Sequence, residues 1–148
     1  MRILLAIDDS KFSEAATQAV IAQGRLQDLE VRVLHVVEPP SLLVAREMGR
    51  FDPAIAVAWQ AEQEQGKVLV SKTAEVLRSR GIKAITAVVE GDPKSTIIDD
   101  AGAWNADLIV LGSHGRKGLE RFLLGSVSDA VMRHAHCSVE IVRVHSEQ

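Results

Sequence analysis

Leu108-Ile109-Val110-Leu111-Gly112-Ser113-His114-Gly115 is an apolar run that breaks on two glycines. A short continuous apolar run bounded by turn residues fits a strand buried on both faces of a parallel sheet. Ten residues beyond Gly115 stands Gly125-Ser126, at the head of an amphipathic pattern formed by Val127, Ala130 and Val131. The glycines therefore sit where a buried strand leaves a sheet and where the next helix starts. Without a Cβ, a glycine lets main-chain N–H groups come close to a ligand. A helix N-terminus adds unpaired N–H donors and partial positive charge. Together these features predict a phosphate cradle on an α/β fold.

Four more partly β-branched apolar runs read as strands, at about 2–8, 30–37, 83–89 and 138–144, with the first run extended to 106–112. Helical patterns lie between them. Phe12, Ala15, Ala16, Ala19 and Val20 repeat at i, i+3, i+4. Ser10 is placed to cap that helix, and Glu14 suits its first turn. Asp52-Pro53 is a cap followed by proline at the first helical position, and the helix it opens runs to about Arg80 and stops at Gly81. Asp92-Pro93 repeats the signal, with Ile97, Ile98 and Ala101 as the inner face. Ser126-Val127-Ser128-Asp129 reads as a capping box for the last helix.

Alternation of strand and helix predicts a single-domain, five-stranded parallel sheet with helices on both faces. Right-handed crossovers give the strand order 3-2-1-4-5. The switch point then falls between strands one and four, and ligands of open α/β sheets bind there, at the carboxyl ends of the strands. Asp8 ends strand one and Gly112 ends strand four, so the two conspicuous motifs meet at that crevice. Glu38 to Arg50 is the least regular part: Pro39-Pro40 stops a helix, and Ser41–Gly49 fits a short helix or flap over a ligand as well as it fits an exposed connection.

The composition is that of a globular protein. The 148 residues are 47% hydrophobic and 25% charged, enough chain for one domain with a real core. A net charge of −3 predicts no general attraction to nucleic acid. No apolar run reaches the roughly 18 residues of a membrane helix. Met1–Asp8 meets an acid too early for a signal peptide and reads as the first strand. One cysteine, Cys137, excludes an internal disulfide framework, and the cytoplasm is the expected compartment. His134-Ala135-His136-Cys137 straddles a helix end and a strand start, so its side chains diverge and no metal site is expected.

The spacing selects among phosphate loops. A P-loop needs Gly, four residues, then Gly-Lys-Ser/Thr, and the dinucleotide fingerprint needs GxGxxG; both are absent. The pattern present is Gly112, two residues, Gly115, nine residues, Gly125-Ser126. It resembles the G-x2-G-x9-G-[S/T] motif of the universal stress protein family. The resemblance extends to Ile7-Asp8-Asp9-Ser10, Leu34-His35-Val36, Ala106 through Gly115, and Ser126-Val127-Ser128 running to Cys137, nearly the whole chain. It implies a fold of the adenine nucleotide alpha hydrolase type and a nucleotide-binding regulatory protein of the stress response. ATP, accompanied by Mg²⁺, would lie at the switch point. Asp8 would stand beside base and ribose and the main chain of Val36 beside the adenine edge. The main chain of Gly112, Gly115, Gly125, Ser126 and Val127 would line the phosphates, and His114 is placed to touch the ligand.

Some features leave alternatives. Gly125 and Ser126 also fit a plain turn and cap. Arg116, Lys117 and Arg121, against Glu120, make the motif locally basic, either toward phosphates or toward solvent. Asp9 stands where the family often has glycine. In the family the last strand pairs with its copy in a second subunit, which implies a homodimer through Val139–Val144. Glu140 and Arg143 mark that strand as an edge, although Glu140 replaces a usual apolar residue and the charges also fit an edge kept alone. A phospho-receiver is disfavoured, because strand three ends in Val89-Glu90-Gly91 without an acceptor aspartate. No general base or arginine finger is evident. A hydrolase or nucleotidyl-transferring enzyme is the alternative function, at most a slow ATPase.

Overall fold

The structure is a computed structural model that describes residues 1–25, 28–40, 53–115 and 123–144. The elements run β1 (Arg2–Ala6), α1 (Lys11–Ala22), β2 (Glu30–Val37), α2 (Pro53–Ser79), β3 (Lys83–Glu90), α3 (Pro93–Trp104), β4 (Leu108–Gly112), α4 (Ser126–His134) and β5 (Ser138–Val142). The strands form one parallel sheet in the order β3-β2-β1-β4-β5, as expected from the crossover rule. The segment 41–52, read as a flap or a connection, lies outside the described residues, as do Arg116, Lys117 and Arg121.

Alternation along the strands divides the core in two. Ile3, Leu5, Val31, Val33, Leu108 and Val110 face α1 and α2, where Ala16, Val20, Val70, Ala74 and Leu77 meet them. Leu4, Ala6, Leu34, Ile109 and Leu111 face α3 and α4, where Ile97, Ala101 and Val131 close the other layer. Ile3, Leu4 and Leu5 are wholly buried, which makes β1 the axis of the molecule. Each such side chain contributes about 1.5–3 kcal/mol by burial, so the position of Asp8 just beyond β1 rests on the best-packed part of the fold.

Among the differences from the sequence expectation are two strand boundaries and one helix face. β4 begins at Leu108 because Asn105 adopts a left-handed conformation (φ 57°) and Ala106 N–H still bonds back to Ala101 O, closing α3. β5 ends at Val142, whose carbonyl accepts from Ser113 N–H where β4 runs out. The inner face of α1 is Ser13, Ala16, Thr17 and Val20, while Phe12 is only half-buried. Two hydroxyls are tolerated inside because both find partners: Ser13 Oγ on Asp8, and Thr17 Oγ1 on Ser13 O at 3.0 Å.

Candidate functional site

The crevice is built where the chain leaves β1 and β4. Ile7 N–H still pairs with Leu34 O, but the next amide, Asp8 N–H, turns away to donate to Ser13 Oγ at 2.8 Å. Asp8 Oδ1 accepts from Ser10 N–H and from Ser13 Oγ–H, both at 2.9 Å. Ser10 in turn caps α1 through Ser13 N–H. One carboxylate oxygen thus fixes the β1–α1 turn and the start of the helix. The other oxygen, Oδ2, lies 2.8 Å from the point where a Gly115 Cβ would stand. Asp8 and Gly115, 107 positions apart in the chain, approach each other across the switch point, and a side chain at position 115 would have to displace the Asp8 carboxylate.

The two described ends of the glycine motif are tied together. Gly125 N–H donates to Ser113 O at 2.8 Å. A Cβ on Gly125 would lie 3.1 Å from that oxygen and 3.2 Å from His114 Cα. Ser128 Oγ–H donates to Gly112 O at 2.7 Å in a buried position, pinning α4 to the end of β4. The expected capping box is not formed. Gly125 is the N-cap, Ser126 is the first helical residue, and no side chain caps α4 among the described residues. The reason lies in Gly125: its tie to Ser113 sets the entry of the helix one residue earlier, and the Ser128 hydroxyl is drawn to Gly112. The first bond of the helix runs from Asp129 N–H to Gly125 O. The N–H groups of Ser126 and Val127 therefore have no partner within α4 and point out of its positive end.

The remaining expected residues occupy distinct places. Gly112 is buried at the end of β4, and a Cβ there would lie 2.6 Å from Phe12 Cβ; the close approach of α1 accounts for this glycine. Val36 packs its side chain into the α3 layer with Val89 and Ile98. Main-chain groups of alternate residues in a parallel strand face the same neighbour. Leu34 O faces β1 and Val37 O faces β3, so the main chain of Val36 faces the β1 side, beyond the point where β1 has ended. His114 uses its ring internally: Nε2 donates to Leu123 O, Ser113 Oγ lies 3.1 Å from Nδ1, and the Phe12 ring lies 5.1 Å away.

Sequence reasoning missed Ser13, Ser128 and His35. His35 Nδ1 lies 2.8 Å from Ile7 O, to which it must donate, and the ring packs where a Gly66 Cβ would be 2.8 Å from its Cδ2. It fastens the exit of β1 to α2. A polar residue on an apolar helix or strand face was the signal available at each of the three. Cys137 is half-buried; desolvation, and secondarily the charge of Asp107, push its thiol above the ordinary range. Among the described residues no group of three or more His, Cys, Asp or Glu side chains converges as a metal site, and no helix is long and apolar enough to cross a membrane.

The description "Universal stress protein family" applies to a sequence profile that matches residues 1–143. A universal stress protein of Methanocaldococcus jannaschii is 32% identical over 142 residues, spanning 96% of this chain and 81% of its own. The structure of a universal stress protein from Lactobacillus plantarum matches at TM-score 0.83 and 25% identity, with 97% of each chain covered. A universal stress protein family protein from Arabidopsis thaliana, crystallised with AMP bound, shares the fold at TM-score 0.66 and 19% identity, over 99% of this chain and 93% of its own. The glycine spacing, the sheet order and these matches agree along nearly the entire sequence: the chain belongs to the universal stress protein family.

Proposed function

We propose that the protein binds an adenine nucleotide, ATP in the first instance, at the crevice between β1 and β4, and that the bound nucleotide regulates its contacts with other proteins. The observation that carries this reading is the meeting of Asp8 Oδ2 with Gly115 beside the start of α4, which no side chain caps among the described residues. An acceptor for base or ribose hydroxyls and a set of donors for anionic oxygens stand on opposite walls of one crevice. Asp8 and the main chain of Val36 hold the nucleoside; Gly112, Gly115, Gly125, Ser126 and Val127 line the phosphates. The Arabidopsis relative crystallised with AMP supports the ligand class. Mg²⁺ would accompany the triphosphate and offset its charge.

Homodimerisation through Val139–Val144 is part of the same proposal. β5 is an outer strand of the sheet. Glu140 Oε2 accepts from Gln23 Nε2 at 2.7 Å, which draws that charge onto the α1 face and away from the open edge. The Val142 carbonyl faces β4, so Val139 and Ile141 turn their main-chain groups outward, ready to pair.

Calorimetric titration of ATP into the wild type and Gly125→Val tests the nucleotide reading. The wild type binds, and the variant, with a branched side chain pushed against Ser113 and His114, loses at least about tenfold in affinity while keeping its circular dichroism. Equal affinity in a folded variant would remove the phosphate assignment.

A further inference from the structure

We propose that His114 is a positioning residue of the phosphate loop: its imidazole latches the Gly112–Gly115 end of the motif to the Leu123–Ser126 end, so that the donors are gathered before the ligand arrives. The proposal rests on the nucleotide reading above for its purpose, and on the geometry of this chain for its mechanism.

Both ring nitrogens are committed inside the protein. A carbonyl oxygen only accepts, so Nε2 must carry the proton that it gives to Leu123 O. In the neutral ring Nδ1 is then an acceptor, and the Ser113 hydroxyl, 3.1 Å away, is its donor. Ser113 is itself buried and tied on both sides: it is 3% exposed, its N–H is held by Val142 O and its carbonyl receives Gly125 N–H. The imidazole packs beside the Phe12 ring, ring centroids 5.1 Å apart and planes tilted by 50°. The backbone of Phe12 in turn lies close against Gly112. The ring is thus held at both nitrogens, and it bridges nine positions of sequence in one step.

The consequence is energetic. A flexible loop pays for its ordering when phosphates bind, and that cost is subtracted from affinity. A latch closed in advance removes it. His114 therefore acts on phosphate binding through Leu123 and Gly125, without touching the nucleotide. Replacing the ring with a methyl group should weaken ligands in proportion to their phosphates and leave the nucleoside part untouched. A residue that contacts the base would do the reverse, and one that merely supports the fold would alter both.

Three proteins test this: wild type, His114→Ala and His114→Gln. The Gln amide restores an N–H donor toward Leu123 O. For His114→Ala, calorimetry should show ATP weakened about tenfold and adenosine within about twofold. Exchange of the Gly125 amide in the ligand-free protein should accelerate by a similar factor, and His114→Gln should recover most of both losses. Equal loss for ATP and adenosine, or unchanged Gly125 exchange, would overturn the proposal. Should the variants fail to fold, ¹⁵N shifts of the wild-type ring decide: the Nε2-protonated tautomer is expected with and without ATP, and a change of tautomer on saturation would mean that the ring touches the ligand. If the wild type binds no nucleotide at all, the functional reading fails, while amide exchange and tautomer still decide the latch.

Discussion

At Gly112 a methyl group would stand 2.6 Å from Phe12 Cβ and 2.8 Å from that residue's carbonyl carbon and oxygen. Two of these three neighbours are backbone, so no rotamer change relieves the clash. Gly112→Ala should destabilise the fold by about 1–3 kcal/mol in urea denaturation; a stability equal to wild type would show that α1 does not approach β4 so closely. At Gly125 the neighbours of a methyl group are Ser113 O at 3.1 Å and His114 Cα at 3.2 Å, contacts that belong to the loop. In the sequence both residues are simply glycines of one motif. The spacing located the crevice but did not separate a glycine required by helix packing from one required by the loop, because that distinction depends on Phe12 and Ser113. The same limit applied to His114, which stands inside a ligand motif and spends both ring nitrogens on Leu123 and Ser113.

Among the elements, those with strong local chemistry were the most legible. Asp92 caps α3 through Ser95 N–H with Pro93 at the first turn, as its residues require. α4 was the exception. Its Ser-x-x-Asp signature is sound locally, but Gly125 N–H bonds to Ser113 O and Ser128 Oγ to Gly112 O, and these tertiary bonds outcompete the box. β5 carries the prediction that belongs to this scale. Val139 turns its N–H away from β4, so proline there removes an outward donor while sparing the ladder to β4. Val139→Pro should sediment as a monomer where the wild type sediments as a dimer. A variant of unchanged dimeric mass would exclude the β5 edge as the interface.

For the whole molecule, strand order and crevice followed from the alternation of runs and the handedness of crossovers, rules that average over many residues. Side-chain ties such as Asp8 to Ser13, or His35 to Ile7 O, depend on single distances and could not be read in advance. The fold also offers a contrast to the proposed site. At the opposite end of the sheet, where α1 and α2 finish, Ile21, Ala22, Gly24, Arg25 and Arg80 line a shallow cleft whose two arginines make it the alternative anion site. Amide chemical shifts followed during an ATP titration of the wild type discriminate between the two ends. The account predicts saturable shifts at Gly115, Gly125, Ser126 and Val127, with Asp8 and Val36 responding to adenosine as well. Silence at those amides up to millimolar ATP, or shifts centred on Gly24 and Arg80, would contradict it.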